Sequence, residues 1–451
     1  MTGKSSAIHF FAVIMTFLGL AVSCSPEWKD EMIPGVSAPE HQEKQFEDRE
    51  INTDTRKVLL LYSAGFNSLS NYLREDIDEL CTGWIPRQRR ADDVILVYSH
   101  LPVSRGNYDT RTSPVLFRIY SDIHGTVIRD TLVTYAPKTI SASAKQFHEV
   151  MTYVNENFPA KSYGLLFSSH ATGYLPNGFY SYPGSYRFNE GALRASGKGA
   201  MPQPSPVPYL EPEHDPAFPA VKSLGQTVDG ALSYEMDIRD FADAIPMKLD
   251  YILFDACLMG GIEVAYELVG KCDRVGFSQA EVLAEGFNYA TLASHLLGNK
   301  TTADPRKVCE DYFNQYDVQS GVYRSATISM VDCNKLEPMA ATCRNLFTKY
   351  SENIKSIRPS EVQQFYRGSK HWFYDLQSIL EKAGISAEEK MELSEALEGC
   401  IIYKNATPSF MGEFAIDTFS GFSMYLPSNG HVELSKYYKT LKWNQATGLV
   451  K

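Results

Sequence analysis

The sequence predicts an α/β fold: a mostly parallel central sheet between layers of helices, an α/β/α sandwich, with C-terminal helical additions. Three observations lead there. Short, nearly unbroken apolar runs of strand length, at 56–63, 163–167 and 251–254, lack the polar alternation of a half-solvated strand, so both of their faces are buried. Segments with apolar residues at helical spacing, such as 142–158, alternate with these runs. Two of the runs end in turns rich in small residues that carry His170 and Cys257, where open α/β sheets keep their ligands.

Composition limits the function. A length of 451 residues exceeds one small domain and suits one large α/β domain with additions. Hydrophobic residues at 44% and aromatics at 12% can bury a substantial core, which excludes global disorder. The 43 Lys and Arg against 54 Asp and Glu leave a formal charge of −11, which argues against nucleic acid as a partner and mildly favours cationic peptides.

The elements follow in order. Residues 1–23 read as a signal peptide: Lys4 precedes an apolar run over 8–22 that is too short to span a membrane. Ala21, Val22, Ser23 and Cys24 resemble a bacterial lipobox, with Cys24 as the acylated residue; an ordinary signal peptide with an incidental cysteine is the alternative. Removing 23 of 451 residues leaves a mature chain of 428, tethered to the membrane by lipid. The acidic stretch at 25–31 resembles surface-export signals of some Gram-negative lipoproteins, which places the protein in the bacterial cell envelope, at the outer membrane or cell surface. Residues 24–55 are polar, acidic and aperiodic, a flexible tether.

A catalytic core is expected over 56–300 and a C-terminal helical region with a late strand over 301–451. Strand 56–63, helix 69–80 with acids on one face, strand 93–98 and a hairpin of 115–120 with 126–135 open the core. Helix 142–158 and strand 163–167 then deliver His170. Residues 176–227, rich in Pro, Gly, Ser and Tyr, read as a long surface loop that contains Arg187, Arg194, Lys198 and Lys222. Helix 237–244 leads into strand 251–254, Asp255, Cys257, Gly260 and Gly261, and a helix from Ile262. Strand 274–277, helix 304–316, strand 326–331, a long helix over 334–357, helices 372–383 and 387–400 and a final strand 421–426 complete the chain. Eight cysteines less Cys24 leave seven in the body, with no CxxC pair to suggest zinc or a thioredoxin motif.

The chemistry centres on Cys257. At a strand's carboxyl end and a helix's amino end, free N–H groups would stabilise a thiolate. If the strands before His170 and Cys257 are parallel neighbours, both residues emerge at one sheet edge, within reach for nucleophilic catalysis. A structural core cysteine and a solvated loop histidine are the plainer readings.

The residues resemble a known family. FDACLMGGIEVAYEL around Cys257 is similar to the nucleophile segment of the clostripain family of cysteine peptidases, in the clan of caspases, legumains and gingipains. The Bacteroides-type lipoprotein leader agrees with such a member. SSHATGYL around His170 resembles the family's Ser-x-His-Gly-x-Gly-Trp segment, with Ala171 in place of Gly and Tyr174 in place of Trp. Weaker pieces at 57–69, 278–289 and 421–427 extend the resemblance over 56–428.

The resemblance implies a caspase-like fold and a cysteine endopeptidase that cuts after Arg or Lys through a Cys257–His170 dyad and a thioester. The N–H groups of Ala171 and Cys257 would form the oxyanion hole. Alanine keeps the donor but does not adopt positive φ as glycine does. Asp255, beside the nucleophile, would select a basic residue through a charge-assisted pair; capping the next helix is its alternative role. Glu281 would line the substrate cleft, or be a surface acid. Self-processing is expected between His170 and Cys257, around Arg187, Arg194 and Lys198, unless the segment is an ordered insertion that is never cut. No cofactor is required, although family resemblance leaves room for calcium. Partners are peptide or protein substrates and the membrane through the lipid anchor, with a monomeric chain. The runner-up function is a catalytically inactive surface lipoprotein that binds a polypeptide or glycan on an inherited peptidase fold. A general esterase or acyltransferase ranks behind both, because nothing marks a lipid or acyl-carrier pocket.

Overall fold

The structure is a computed structural model that describes residues 51–189, 197, 199, 201, 219–222, 227–229, 232–298, 302–368 and 371–451. The apolar runs form strands because only a sheet covered on both faces can bury them. β1 (Lys57–Ala64) and β2 (Val94–His100) are buried at every residue. β5 (Ser162–Ser168) and β6 (Leu249–Asp255) are buried at all but one. The hairpin strands β3 (Val115–Ser121) and β4 (Val127–Thr134) lie at one edge, where β4 is half-solvated. With β7 (Cys272–Phe277), β8 (Thr327–Asp332) and β9 (Ile401–Ala406), the sheet runs β9-β8-β7-β6-β5-β1-β2-β3-β4. The five central strands, β7 to β2, are parallel, and both edges are antiparallel.

The strand order grows in opposite directions from β1, which with right-handed crossovers sends helices to both faces. α1 (Ser70–Leu80), α5 (Tyr289–Leu296) and α6 (Pro305–Asp317) pack in series as one layer. The other row comprises α2 (Ala144–Asn157), α3 (Ile238–Ala244), α4 (Ile262–Glu267), α7 (Leu336–Lys349), α10 (Ala387–Cys400) and α12 (Lys442–Thr447). α8 (Ser351–Ser356), α9 (Leu376–Ala383) and α11 (Val432–Tyr438) are the remaining α-helices among the described residues.

Several expectations need revision. The helix expected over 334–357 is two, α7 and α8, divided at Tyr350. β8 matches the strand expected over 326–331, and β9, which was not expected, pairs with it at the edge of the central sheet. The strand expected at 421–426 shrinks to Ser423–Met424, paired with Tyr374–Asp375. The segment read as surface loop is partly interior: Phe179, Tyr180, Val221, Lys222 and Thr227 are buried.

Candidate active site

β5 and β6 are adjacent and parallel, with Ser168 opposite Asp255, so the turns carrying His170 and Cys257 leave the sheet side by side. Cys257 is fully buried. Its turn is stitched to the following loop: Leu258 N–H donates to the Ala280 carbonyl at 2.9 Å, Gly260 N–H to that of Ser278 at 2.7 Å, and the Val282 N–H reaches Cys257 Sγ at 3.1 Å. Leu258 holds φ at 62°, a left-handed backbone that a leucine adopts only under constraint. Gly173 explains part of that constraint, because a Cβ there would overlap the Leu258 carbonyl. α4 is only six residues long, and its first residue lies five positions past the cysteine. The donor at the sulfur is therefore the Val282 amide, and the helix-end stabilisation expected from the sequence is slight.

His170 is buried, and its Nε2 lies 3.1 Å from Ser68 Oγ. Burial drives its imidazole down to about 3, opposed in part by the Lys222 main chain beside the ring. The ring is thus neutral at working pH, the form that can take a thiol proton. Ala171 is not among the residues with positive φ, so its backbone carries no left-handed strain. Tyr174 is buried, and its hydroxyl donates to the Trp372 carbonyl at 2.7 Å.

Asp255 does not cap α4, whose N-cap is Gly261. Its carboxylate instead pairs with the ammonium of Lys222 and accepts from Tyr289 Oη at 2.7 Å. Lys222 Nζ also lies 3.0 Å from Asp76 of α1, and its side chain is 0% exposed. Burial raises the Asp76 carboxyl to about 8, with Lys222 pulling the other way. The two carboxylates hold the Lys222 ammonium above the usual lysine value against burial. Gly286 closes this pocket: a Cβ there would sit 2.6 Å from Asp255 Oδ1 and 2.5 Å from Lys222 Nζ.

The Lys222 main chain is ordered as well. Residues 220–222 lie antiparallel to 282–284, with Lys222 N–H donating to the Val282 carbonyl at 2.8 Å and Ala284 N–H to that of Ala220 at 2.8 Å. The Val282 carbonyl is itself 3.7 Å from Cys257 Sγ. A lysine is thus held like a bound peptide residue, its side chain in an acid-floored pocket and its main chain between the histidine and the cysteine loop.

Glu281 is no surface acid. It is buried and forms a two-point pair with Arg367, whose Nη2 lies 3.0 Å from Oε1. Arg367 also stands close enough to Cys257 for their charges to interact. Cys24, Arg194 and Lys198 lie outside the described residues. Arg187 is described, and its guanidinium donates to the Gly184 and Tyr186 carbonyls. Sequence reasoning missed Asp76, Tyr289, Val282 and Arg367, and it passed over Lys222 as one loop cation among four. The only available signal was the acid-rich face of α1. Among the described residues, no three His, Cys, Asp or Glu gather as a metal site.

Cysteine and histidine at neighbouring ends of a parallel sheet, beside an acid-floored pocket, mark the cysteine-peptidase class. The chain matches the clostripain family over residues 220–448, about half its length, and belongs to that family. A search of curated proteins gave no match. Among solved structures, the inactive zymogen of a C11 protease from Parabacteroides distasonis is 26% identical, with a TM-score of 0.67, covering 88% of this chain and 99% of that one. A secreted C11 cysteine protease from Bacteroides thetaiotaomicron, in complex with an irreversible peptide inhibitor, shares the fold at 23% identity and a TM-score of 0.65, covering 87% of this chain and 99% of that one.

Proposed function

We propose that the protein is a cysteine endopeptidase that cuts after lysine or arginine and whose first substrate is its own peptide bond after Lys222. The observation that carries this reading is the seat of Lys222: ammonium on Asp255 and Asp76, N–H on the Val282 carbonyl, and main chain against His170. A segment paired in this way adds a strand to an edge, a common mode of peptide recognition. It also fills the pocket that an outside substrate would need, so the uncut chain is self-blocked. The Parabacteroides neighbour is described as an inactive zymogen, and the same state is inferred for this chain.

In the reaction, the Cys257 thiol gives its proton to His170, and the sulfur attacks the carbonyl carbon of the lysine. The N–H groups of Cys257 and Ala171 are assigned to the oxyanion. As the C–N bond breaks, the proton passes from His170 to the leaving nitrogen, and water then hydrolyses the thioester. Asp255 and Asp76 supply the preference for a cation before the cut. Export and anchoring through acylated Cys24 are inferred from the leader alone; fatty-acid labelling lost in Cys24→Ser tests that point.

Mass spectrometry of the purified wild type is expected to find a fragment ending at Lys222, absent from Cys257→Ala. The cut wild type then hydrolyses fluorogenic peptides ending in Lys or Arg and not those ending in Asp or Leu. A wild type that stays intact and leaves every peptide uncut would sink the reading, in favour of a binding lipoprotein on a peptidase fold.

A further inference from the structure

Across the β5–β6 edge from the lysine pocket lies a second hollow. Side chains alternate along a strand, so Ser168 and Asp255 face the lysine, while Phe167 and Phe254, paired one position earlier, face the α2–α3 side. There Phe167 and Phe254 meet Phe241 of α3. A small cleft of about 50 Å³ is lined by His170, Glu235, Met236, Phe241, Phe254 and Met259 among others.

Glu235 is the odd residue in this wall. It is 4% exposed, and its Oε2 accepts the Gly178 N–H at 2.9 Å. Its Oε1 has no donor among the described residues, and neither has His170 Nδ1 a partner among them. Burial pushes the Glu235 carboxyl up to about 7, with the Gly178 N–H pulling down. Leaving a buried acceptor unmade is unfavourable. A ligand with an apolar stem and an N–H group at its tip would complete it: the stem would lie along the two methionines and the phenylalanines, and the tip would reach Oε1.

Direction places the hollow relative to the cut. Residues 220–222, on the acyl side, run along 282–284. The general acid must reach the nitrogen that leaves, so the chain beyond the cut departs past His170, and His170 is shared between the reaction centre and this cleft.

We propose that this cleft is the subsite for the residue following the cut, and that Glu235 there selects a long side chain ending in an N–H donor, lysine foremost. Bonds between two basic residues are then the preferred substrates. The proposal rests on the peptidase reading above and adds a second acid-lined subsite to it.

The test uses internally quenched peptides with lysine before the cut and Lys, Gln, Leu or Asp after it, offered to the self-processed wild type, Glu235→Gln and Met259→Ala. The wild type is expected to favour Lys over Leu and Asp by about tenfold or more in kcat/KM. Glu235→Gln keeps an acceptor for Gly178 N–H and should bring Lys down to the level of Gln. Met259→Ala widens the wall and should shift the ranking among long side chains without restoring Asp. If the wild type cleaves a lysyl coumarin amide yet treats all four peptides alike, the subsite is overturned and the peptidase reading stands. If it cleaves nothing, the peptidase reading fails. The cleft is then judged by calorimetric titration of a Cys257→Ala, Lys222→Ala chain with peptides carrying Lys-Lys or Lys-Leu. Roughly tenfold tighter binding of the first supports Glu235 selection, and equal affinities overturn it.

Discussion

Replacing Lys222 tests the centre of the argument, and Cys257→Ala as background keeps the chain whole. The Lys222 ammonium is the counter-charge for two buried carboxyls, Asp255 in direct contact and Asp76 at 3.0 Å. Removing one partner of a buried ion pair costs about 3–5 kcal/mol, against a total stability of about 5–15 kcal/mol for a domain. Asp76, already raised to about 8 by burial, can keep a proton and soften the loss at pH 6, so the penalty is larger at pH 9. Guanidinium unfolding followed by tryptophan fluorescence measures it as a shift in midpoint at constant slope. Asp255→Asn alone also destabilises, since it leaves Lys222 with Asp76 only. Because the two groups touch, the double variant should cost less than the sum of the singles by about 1–3 kcal/mol. Single losses that add to within about 0.5 kcal/mol would refute the claim that Asp255 recognises this lysine.

Three further outcomes follow from particular contacts. Gly286→Ala, at φ 66°, places a methyl against Asp255 Oδ1 and Lys222 Nζ, so cleavage of lysyl peptides by the processed enzyme should fall on the order of 100-fold in kcat/KM; an unchanged value would show that the pocket lies elsewhere. Glu263 of α4 is buried, accepts from Tyr425 N–H at 2.9 Å and Tyr438 Oη at 2.6 Å, and is raised by burial to about 7. Its proton is held more tightly in the folded than in the unfolded chain, so stability is lost as pH rises from about 4.5 through 7, and Glu263→Gln should recover about 2–3 kcal/mol at pH 8 and under about 1 at pH 5. No disulfide joins the described cysteines, but the Sγ atoms of Cys272 and Cys333 lie 3.6 Å apart in the interior. Mild oxidation with diamide should therefore join these two within one chain, losing two hydrogens by mass, and peptide maps that retain both thiols would contradict the geometry.

The parts of the fold that were legible in the sequence are those written locally. The runs of β1, β5 and β6 are apolar at nearly every position, which only a doubly covered strand tolerates, and their alternation with helical periods implied a parallel sheet. His170 and Cys257 could be placed because each directly follows such a strand. β9 was missed because its exposure alternates along IIYKNA at a sheet edge, beside a helix whose pattern runs up to Cys400. The break at Tyr350 was missed because 336–356 keeps helix-forming residues across it.

The partners in the lysine pocket were hidden for a different reason. Asp76 sits 146 residues from Lys222 and Asp255 sits 33 from it, and nothing in a sequence pass distinguishes a buried acid on α1 from the solvated ones beside it. Lys222 in turn lies in a segment whose composition is that of a surface loop, yet its side chain is fully enclosed. Composition describes what a segment could do if left alone, whereas this lysine is held by what the rest of the chain offers: two carboxyls, a tyrosine and the edge formed by 282–284. A basic residue that is drawn out of a polar loop into an acid-floored pocket beside a cysteine and a histidine behaves as a substrate does. On the proposed reading, the pocket that would confer specificity on the mature enzyme also keeps the uncut chain closed until it cuts itself after Lys222.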